Sequence, residues 1–208
     1  MQMSKLRARD SKARSFQYCL ITHHDCYRQT LHEVAELAEE AGVDYFQLRE
    51  KDLEPGELLQ LARHLRAMLS RTKFIVNGHL DVAIAADADG VHLQKDNVPI
   101  SAVRKRFPHL LIGYSAHSAE ELKAAEDAGA DYAFLSPVFA GGSKTSPLPP
   151  LGIARFMEWT CERKIPVFAL GGITHEAVPQ LAASGCAGIA GISFFVEKGY
   201  FDPKGMVI

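Results

Sequence analysis

The sequence predicts a single α/β domain folded as a (β/α)8 TIM barrel, and three observations carry that expectation. A short pattern recurs four times, at residues 41–46 (AGVDYF), 86–91 (ADADGV), 128–133 (AGADYA) and 184–189 (SGCAGI). The copies start 45, 42 and 56 residues apart, and each interval has room for about two strand–helix units. Between and around them lie eight apolar runs of strand length, separated by helical periodicity. These runs are apolar throughout instead of alternating, which suits a parallel sheet covered on one face and packed on the other.

In order, the strands are expected at 18–22, 45–49, 74–77, 90–93, 111–115, 132–136, 167–170 and 188–192. Helical periodicity is clearest at 31–41, 56–69, 119–128 and 177–183. In each repeat copy a small residue or glycine ends a helix in the left-handed region, and in the first three an aspartate turns the chain into the next strand. Eight units within 208 residues require short loops and a barrel just under the usual size. A doubly wound sheet would need about six strands and a glycine fingerprint in its first βα turn, and that fingerprint is missing. After the eighth strand only 194–208 remain, with Gly199, Pro203 and Gly205 among them. That is a poor final helix, so the barrel is expected to be thinly covered there, leaving a place for a partner chain in a homo-oligomer.

Composition removes several function classes. A formal charge of −2 gives no electrostatic reason to expect nucleic acid. No apolar run approaches the roughly 20 residues that cross a membrane. Residues 1–15 hold Lys5, Arg7, Arg9, Lys12 and Arg14 against Asp10, without the apolar stretch of a signal peptide. They read as a flexible basic leader on a cytoplasmic protein, with the barrel in 16–208. Cys19, Cys26, Cys161 and Cys186 form no C-x-x-C pair and read as buried thiols of a reducing compartment. None of the nine histidines has a recognised metal spacing. The tandem His23-His24 is a weak metal candidate, because adjacent side chains diverge at a strand end.

In a barrel, chemistry collects where strands end. The second strand runs into Gln47-Leu48-Arg49-Glu50-Lys51, the third into Asn77-Gly78-His79 and the fourth into His92-Leu93-Gln94-Lys95. The fifth ends in Ser115-Ala116-His117, and the sixth leads to Gly141-Gly142-Ser143-Lys144. The seventh and eighth end in Gly171-Gly172 and Gly191-Ile192-Ser193, where glycine lets backbone N–H groups approach a phosphate and a helix start adds its dipole. Tight packing is the plainer account of those glycines. Arg49, Lys51 and Lys144 add positive charge at the same mouth, whereas Lys95 reads as a surface lysine. The segment 141–144 has the composition of a loop that closes over an anion, stiffened on its return by Pro147, Pro149 and Pro150. His117 is the best general acid/base in the set.

Taken together, these strand ends resemble the thiamin phosphate synthase/TenI family, over about residues 18–194. The resemblance rests on QLREK at 47–51, GVHL at 90–93, IGYSAH at 112–117, AGADY at 128–132 and GGI at 171–173. The family's synthases join a pyrimidine pyrophosphate to a thiazole phosphate and release pyrophosphate with Mg2+. The resemblance then implies that Arg49, Lys51, Asn77 and Lys144 meet pyrophosphate and Ser115 the pyrimidine. Ser143 keeps one hydroxyl of the family's closing loop. Gly171, Gly172, Ile192 and Ser193 match the cradle for the thiazole phosphate.

Two magnesium aspartates of the synthases are not matched. Asn77-Gly78-His79 stands where the family has Asn-Asp-Arg, and Asn97 stands at the second position with Asp96 beside it as a weak substitute. A glycine and an amide hold a hard cation poorly. The Asn-Gly pair is similar to the TenI branch, whose thiazole tautomerases move protons on a thiazole phosphate carboxylate without a metal. On the resemblance His117 is the catalytic residue there. The first expectation is therefore a thiazole tautomerase that needs no cofactor. The alternatives are a Mg2+-dependent thiamin phosphate synthase, or a non-catalytic ligand-binding or regulatory barrel.

Overall fold

A computed structural model describes residues 16–141, 148–203 and 206. The predicted leader, 1–15, and the loop residues Gly142, Ser143 and Lys144 lie outside the described residues. Eight strands form a closed parallel barrel in sequence order. They are β1 (Gln17–Ile21), β2 (Tyr45–Leu48), β3 (Lys73–Asn77), β4 (Gly90–Leu93), β5 (Leu111–Ala116), β6 (Tyr132–Leu135), β7 (Val167–Leu170) and β8 (Gly188–Gly191). Among the described residues seven helices alternate with them: α1 (Leu31–Ala41), α2 (Pro55–Met68), α3 (Leu80–Ala85), α4 (Ile100–Arg106), α5 (Ala119–Asp127), α6 (Gly152–Thr160) and α7 (Val178–Ala183). The expected strands are all present, with ends shifted by one residue at most.

The repeat has a structural purpose beyond turning the chain. Gly42, Asp87, Gly129 and Gly185 all take left-handed backbone, with φ of 75°, 53°, 95° and 79°. In the first three copies the aspartate that follows reaches back to the start of the preceding strand. Asp44 accepts from Tyr18 N–H at 2.8 Å, Asp89 from Phe74 N–H at 2.9 Å and Asp131 from Ile112 N–H at 2.7 Å. These carboxylates pin the starts of β1, β3 and β5 to the loops entering β2, β4 and β6. The fourth copy has Ala187 there, and backbone bonds alone (Gln17 N–H to Ala187 O, 3.0 Å) link β8 to β1.

Strand residues divide between two packing faces. Phe46, Leu48, Phe74, Val76 and Ile189 join the helices in the larger core, while a second cluster of Cys19, Ile21, Tyr132, Phe134, Phe168 and Ala190 contains no helical residue. That second cluster fills the barrel. Gly113 makes it feasible, because a Cβ there would overlap the Tyr132 ring and His92.

Two expectations are corrected. The chain after β8, expected to leave the barrel thinly covered, folds back over it. A 3-10 turn (Ser193–Phe195) leads into an antiparallel hairpin, β9 (Val196–Glu197) and β10 (Tyr200–Phe201), and Phe194, Phe195 and Phe201 are buried beneath it. Phe201 N–H donates to Gln29 Oε1 at 2.7 Å and Arg28 N–H to Gly199 O at 2.6 Å, so the hairpin is tied to the loop after β1. Aromatic burial replaces the missing eighth helix. Nor are all four thiols buried: Cys19 and Cys186 are, whereas Cys26 is half-buried and Cys161 exposed just past α6. Among the described residues no helix is long and apolar enough to cross a membrane.

Because Asp89 satisfies a strand-start amide and also meets Arg66 at 3.2 Å, Asp89→Ala should lower unfolding stability by about 1.5–3 kcal/mol. Urea denaturation of the two proteins measures this, and an unchanged midpoint would remove the aspartate from the list of structural ties.

Candidate active site

The C-terminal rim carries two unlike regions. At the ends of β7 and β8 a cavity of about 170 Å³ is lined by Gly171, Gly172, Gly191, Ile192 and Ser193 among others, with Gly141, Arg49 and His23 also on its wall. Gly171 and Gly172 both have positive φ, 94° and 63°. A Cβ on Gly172 would stand 2.6 Å from Phe139 O, so close approach of the loop after β6 requires glycine there. That loop runs along β7, with Val138 N–H on Leu170 O at 2.9 Å and Phe139 N–H on Gly171 O at 3.0 Å. The predicted glycine pairs therefore do converge on one cavity. The helix starts expected directly behind them are 3-10 turns instead, His175–Ala177 before α7 and Ser193–Phe195 after β8.

Across the mouth, β2 to β5 present a floor of amides and hydroxyls. Asn77 Oδ1 accepts from Gln47 Nε2 at 2.9 Å and from Gln94 Nε2 at 3.3 Å. Gln47 is buried, and its Oε1 has no hydrogen-bond partner among the described residues. A buried acceptor left unpaired is costly. Ser115 Oγ meets His92 Nε2 at 2.9 Å, and the His92 ring stacks on Phe134 at 4.2 Å. Burial pushes the His92 imidazole down to about 3, so near neutrality it is an uncharged partner that orients Ser115.

His117 is exposed beyond the end of β5, outside the lining of the glycine-walled cavity. Its Nδ1 lies 2.8 Å from Ser136 O. A carbonyl only accepts, so Nδ1 is the donor in this contact and Nε2 is turned away from it. Arg49 is half-buried at the cavity, and its N–H donates to Thr22 Oγ1 at 2.9 Å. Lys51 is exposed just beyond it, and Lys95 is exposed as expected.

The magnesium positions do not fit that ion. Gly78 offers no side chain, Asn97 Oδ1 is taken up by Gln94 N–H at 2.7 Å, and Asp96 alone supplies a carboxylate, at an exposed position. A hard divalent cation wants more oxygen charge than that.

One expectation about histidine is overturned. His23 and His24 do not diverge, because β1 ends at Ile21 and the backbone turns into a 3-10 helix at His24–Cys26. Their rings lie 5.9 Å apart, and His24 Nδ1 meets the buried Glu50 carboxylate at 2.8 Å. Glu50 was missed as a site residue; it reads as one charge in a charged run, and only its neighbours show that it points inward. Gln47 and Gln94 were visible as strand-end amides without a role.

A family model described as thiamine monophosphate synthase matches residues 18–195. The chain belongs to the thiamin phosphate synthase/TenI family. It is 42% identical over 182 residues to a putative thiamine-phosphate synthase 2 of Aquifex aeolicus, covering 85% of this chain and 96% of that one. With the thiamine-phosphate synthase of Halalkalibacterium halodurans it shares 38% identity over 196 residues, 92% of each chain. The solved thiamine phosphate pyrophosphorylase of Pyrococcus furiosus superposes with a TM-score of 0.79 at 31% identity, over 92% of each chain. Membership places the protein among the enzymes of thiamin biosynthesis.

The buried His92 sets a pH signature for this family member. Below the ordinary histidine value of 6.5 the unfolded chain binds a proton that the folded chain refuses until about 3. Stability contributed by neutral His92 is thus complete above 6.5 and is lost as pH falls through that window, by up to about 1.4 kcal/mol per pH unit. Urea midpoints from pH 7 to 4 should fall less steeply in His92→Gln than in the unsubstituted chain; equal slopes would show that His92 takes up protons while folded.

Proposed function

We propose that the protein is a thiamine-phosphate synthase, joining a pyrimidine pyrophosphate to a thiazole phosphate. The observation that carries this reading is the divided mouth, a glycine-walled cavity on one side and an amide floor with an unpaired acceptor on the other. Two substrates need two chemically different seats, whereas a tautomerase needs one. The names of the Halalkalibacterium and Pyrococcus relatives support the same choice over the tautomerase first expected from the sequence.

In this reading Gly171, Gly172, Ile192 and Ser193 hold the thiazole phosphate. The amide floor and Ser115 orient the pyrimidine, with Gln47 Oε1 accepting from a donor on that ring. A C–N bond forms as the C–O bond to pyrophosphate breaks, and the departing oxygen keeps the electron pair. Arg49, at the boundary between the two seats, meets the charge that grows on that oxygen, with Lys51, Asn77 and Lys144 assigned to the same group.

Purified protein given both substrates should release pyrophosphate and form thiamin phosphate, and Arg49→Ala should lower kcat/KM by on the order of 10²–10³-fold. No product above background, with or without added Mg2+, would end the synthase reading.

A second reading, the thiazole tautomerase, is favoured by Asn77-Gly78-His79 and by the Ser136 carbonyl that orients His117 through Nδ1. It predicts aromatisation of the thiazole phosphate carboxylate tautomer supplied alone, slowed about 10²–10⁴-fold by His117→Asn. An equal rate in that variant would remove His117 from the chemistry.

A further inference from the structure

We propose that His23, His24 and Glu50 form a binding site for a borderline divalent transition-metal ion of the Zn2+/Co2+ class. The three side chains come from the ends of two adjacent strands, β1 and β2, and their ligand atoms all lie within 4.8 Å of one another. Metal–ligand bonds of about 2.0–2.2 Å place the donors of one ion roughly 3–4.4 Å apart, so small side-chain rotations close the set.

The carboxylate is built to receive a cation. Glu50 has a side chain only 1% exposed, and a relay holds it in place: Arg49 N–H donates to Thr22 Oγ1 at 2.9 Å, and Thr22 Oγ1 donates to Glu50 Oε1 at 2.5 Å. Its other oxygen accepts from His24 N–H at 3.0 Å and faces His24 Nδ1 at 2.8 Å. A buried carboxylate needs hydrogen bonds and a compensating positive charge, and His24, at 2.8 Å, is a neighbour able to carry that charge. His24 also lies beside Asp25, whose Oδ1 is 3.0 Å from Nε2. A carboxylate on the far side of a ligating imidazole is the usual orienting arrangement in metal sites.

Donor chemistry selects the ion. Two imidazoles and one carboxylate suit Zn2+, Co2+ or Ni2+, whereas Mg2+ prefers an all-oxygen octahedron. On binding, a ligating imidazole presents a lone pair and any proton on that nitrogen leaves to solvent. Three protein ligands leave further coordination positions open, and His23 also lines the glycine-walled cavity. This site is independent of which reaction the mouth performs.

The test is a Co2+ titration of the full-length chain after removal of metal with a chelator, followed by visible d–d absorption and by equilibrium dialysis. One Co2+ per chain is expected, displaced by Zn2+ and unaffected by excess Mg2+. His23→Gln and His24→Gln should each weaken binding about tenfold or more, while Asp96→Asn and Cys26→Ser leave it unchanged. Circular dichroism and urea midpoints check that each variant is folded; both histidines lie outside the buried core, so they carry the test in place of Glu50. No saturable binding, binding undiminished in either histidine variant, or binding abolished by Asp96→Asn or Cys26→Ser would overturn the proposal.

Discussion

The register in which β1 meets β8, with Gln17 opposite Gly188 and Leu20 opposite Gly191, decides which residues share the rim. Once that pairing closes the sheet, all eight strands point the same way and their polar ends face one mouth. A parallel strand with no partner would leave its amides unpaired at an edge, so closure is also what makes eight short strands stable. Gly188 is part of this constraint, since a Cβ there would run into the backbone of Gln17. The last strand has no repeat aspartate to anchor its approach, and the aromatic hairpin after it holds that side of the barrel in place.

Closure also produces the electrostatic character of the mouth. The interior below the rim is filled by Tyr132, Phe134 and Phe168, so polar side chains above it rest on an apolar plug and compete little with water. Under such conditions each must find a partner or wait for one. His92 stays neutral and orients Ser115, Asn77 gathers two amides on one oxygen, and Glu50 draws a hydroxyl, a backbone amide and an imidazole around it. Gln47 Oε1 is the acceptor left over. The same plug suits a rim built from glycine at the ends of β7 and β8, where backbone can come close without adding side-chain bulk.

Much of this was legible in the amino-acid order. The repeated pattern of small residues, with an aspartate in three of its copies, located four helix ends, and the left-handed backbone at Gly42, Gly129 and Gly185 follows from local sterics alone. The glycine pairs after the seventh and eighth strands were recognisable because a barrel sends equivalent positions to one rim. Less legible was what the aspartates hold. Asp44 bonds Tyr18, 26 residues earlier, and no local pattern names that partner.

What the sequence by itself determined was the order and type of elements, the family, and the strand ends on which chemistry would sit, since these depend on periodicity and on backbone preferences of single residues. Only the tertiary structure decided which strand-end groups act together. Glu50 is an inward carboxylate because Thr22, 28 residues away, is placed beside it. The final hairpin replaces a helix because Gln29 receives an amide 172 residues further on. Such contacts arise when the sheet closes and brings distant segments into one low-dielectric space, where pairing is set by proximity and desolvation and has no signature in neighbouring residues.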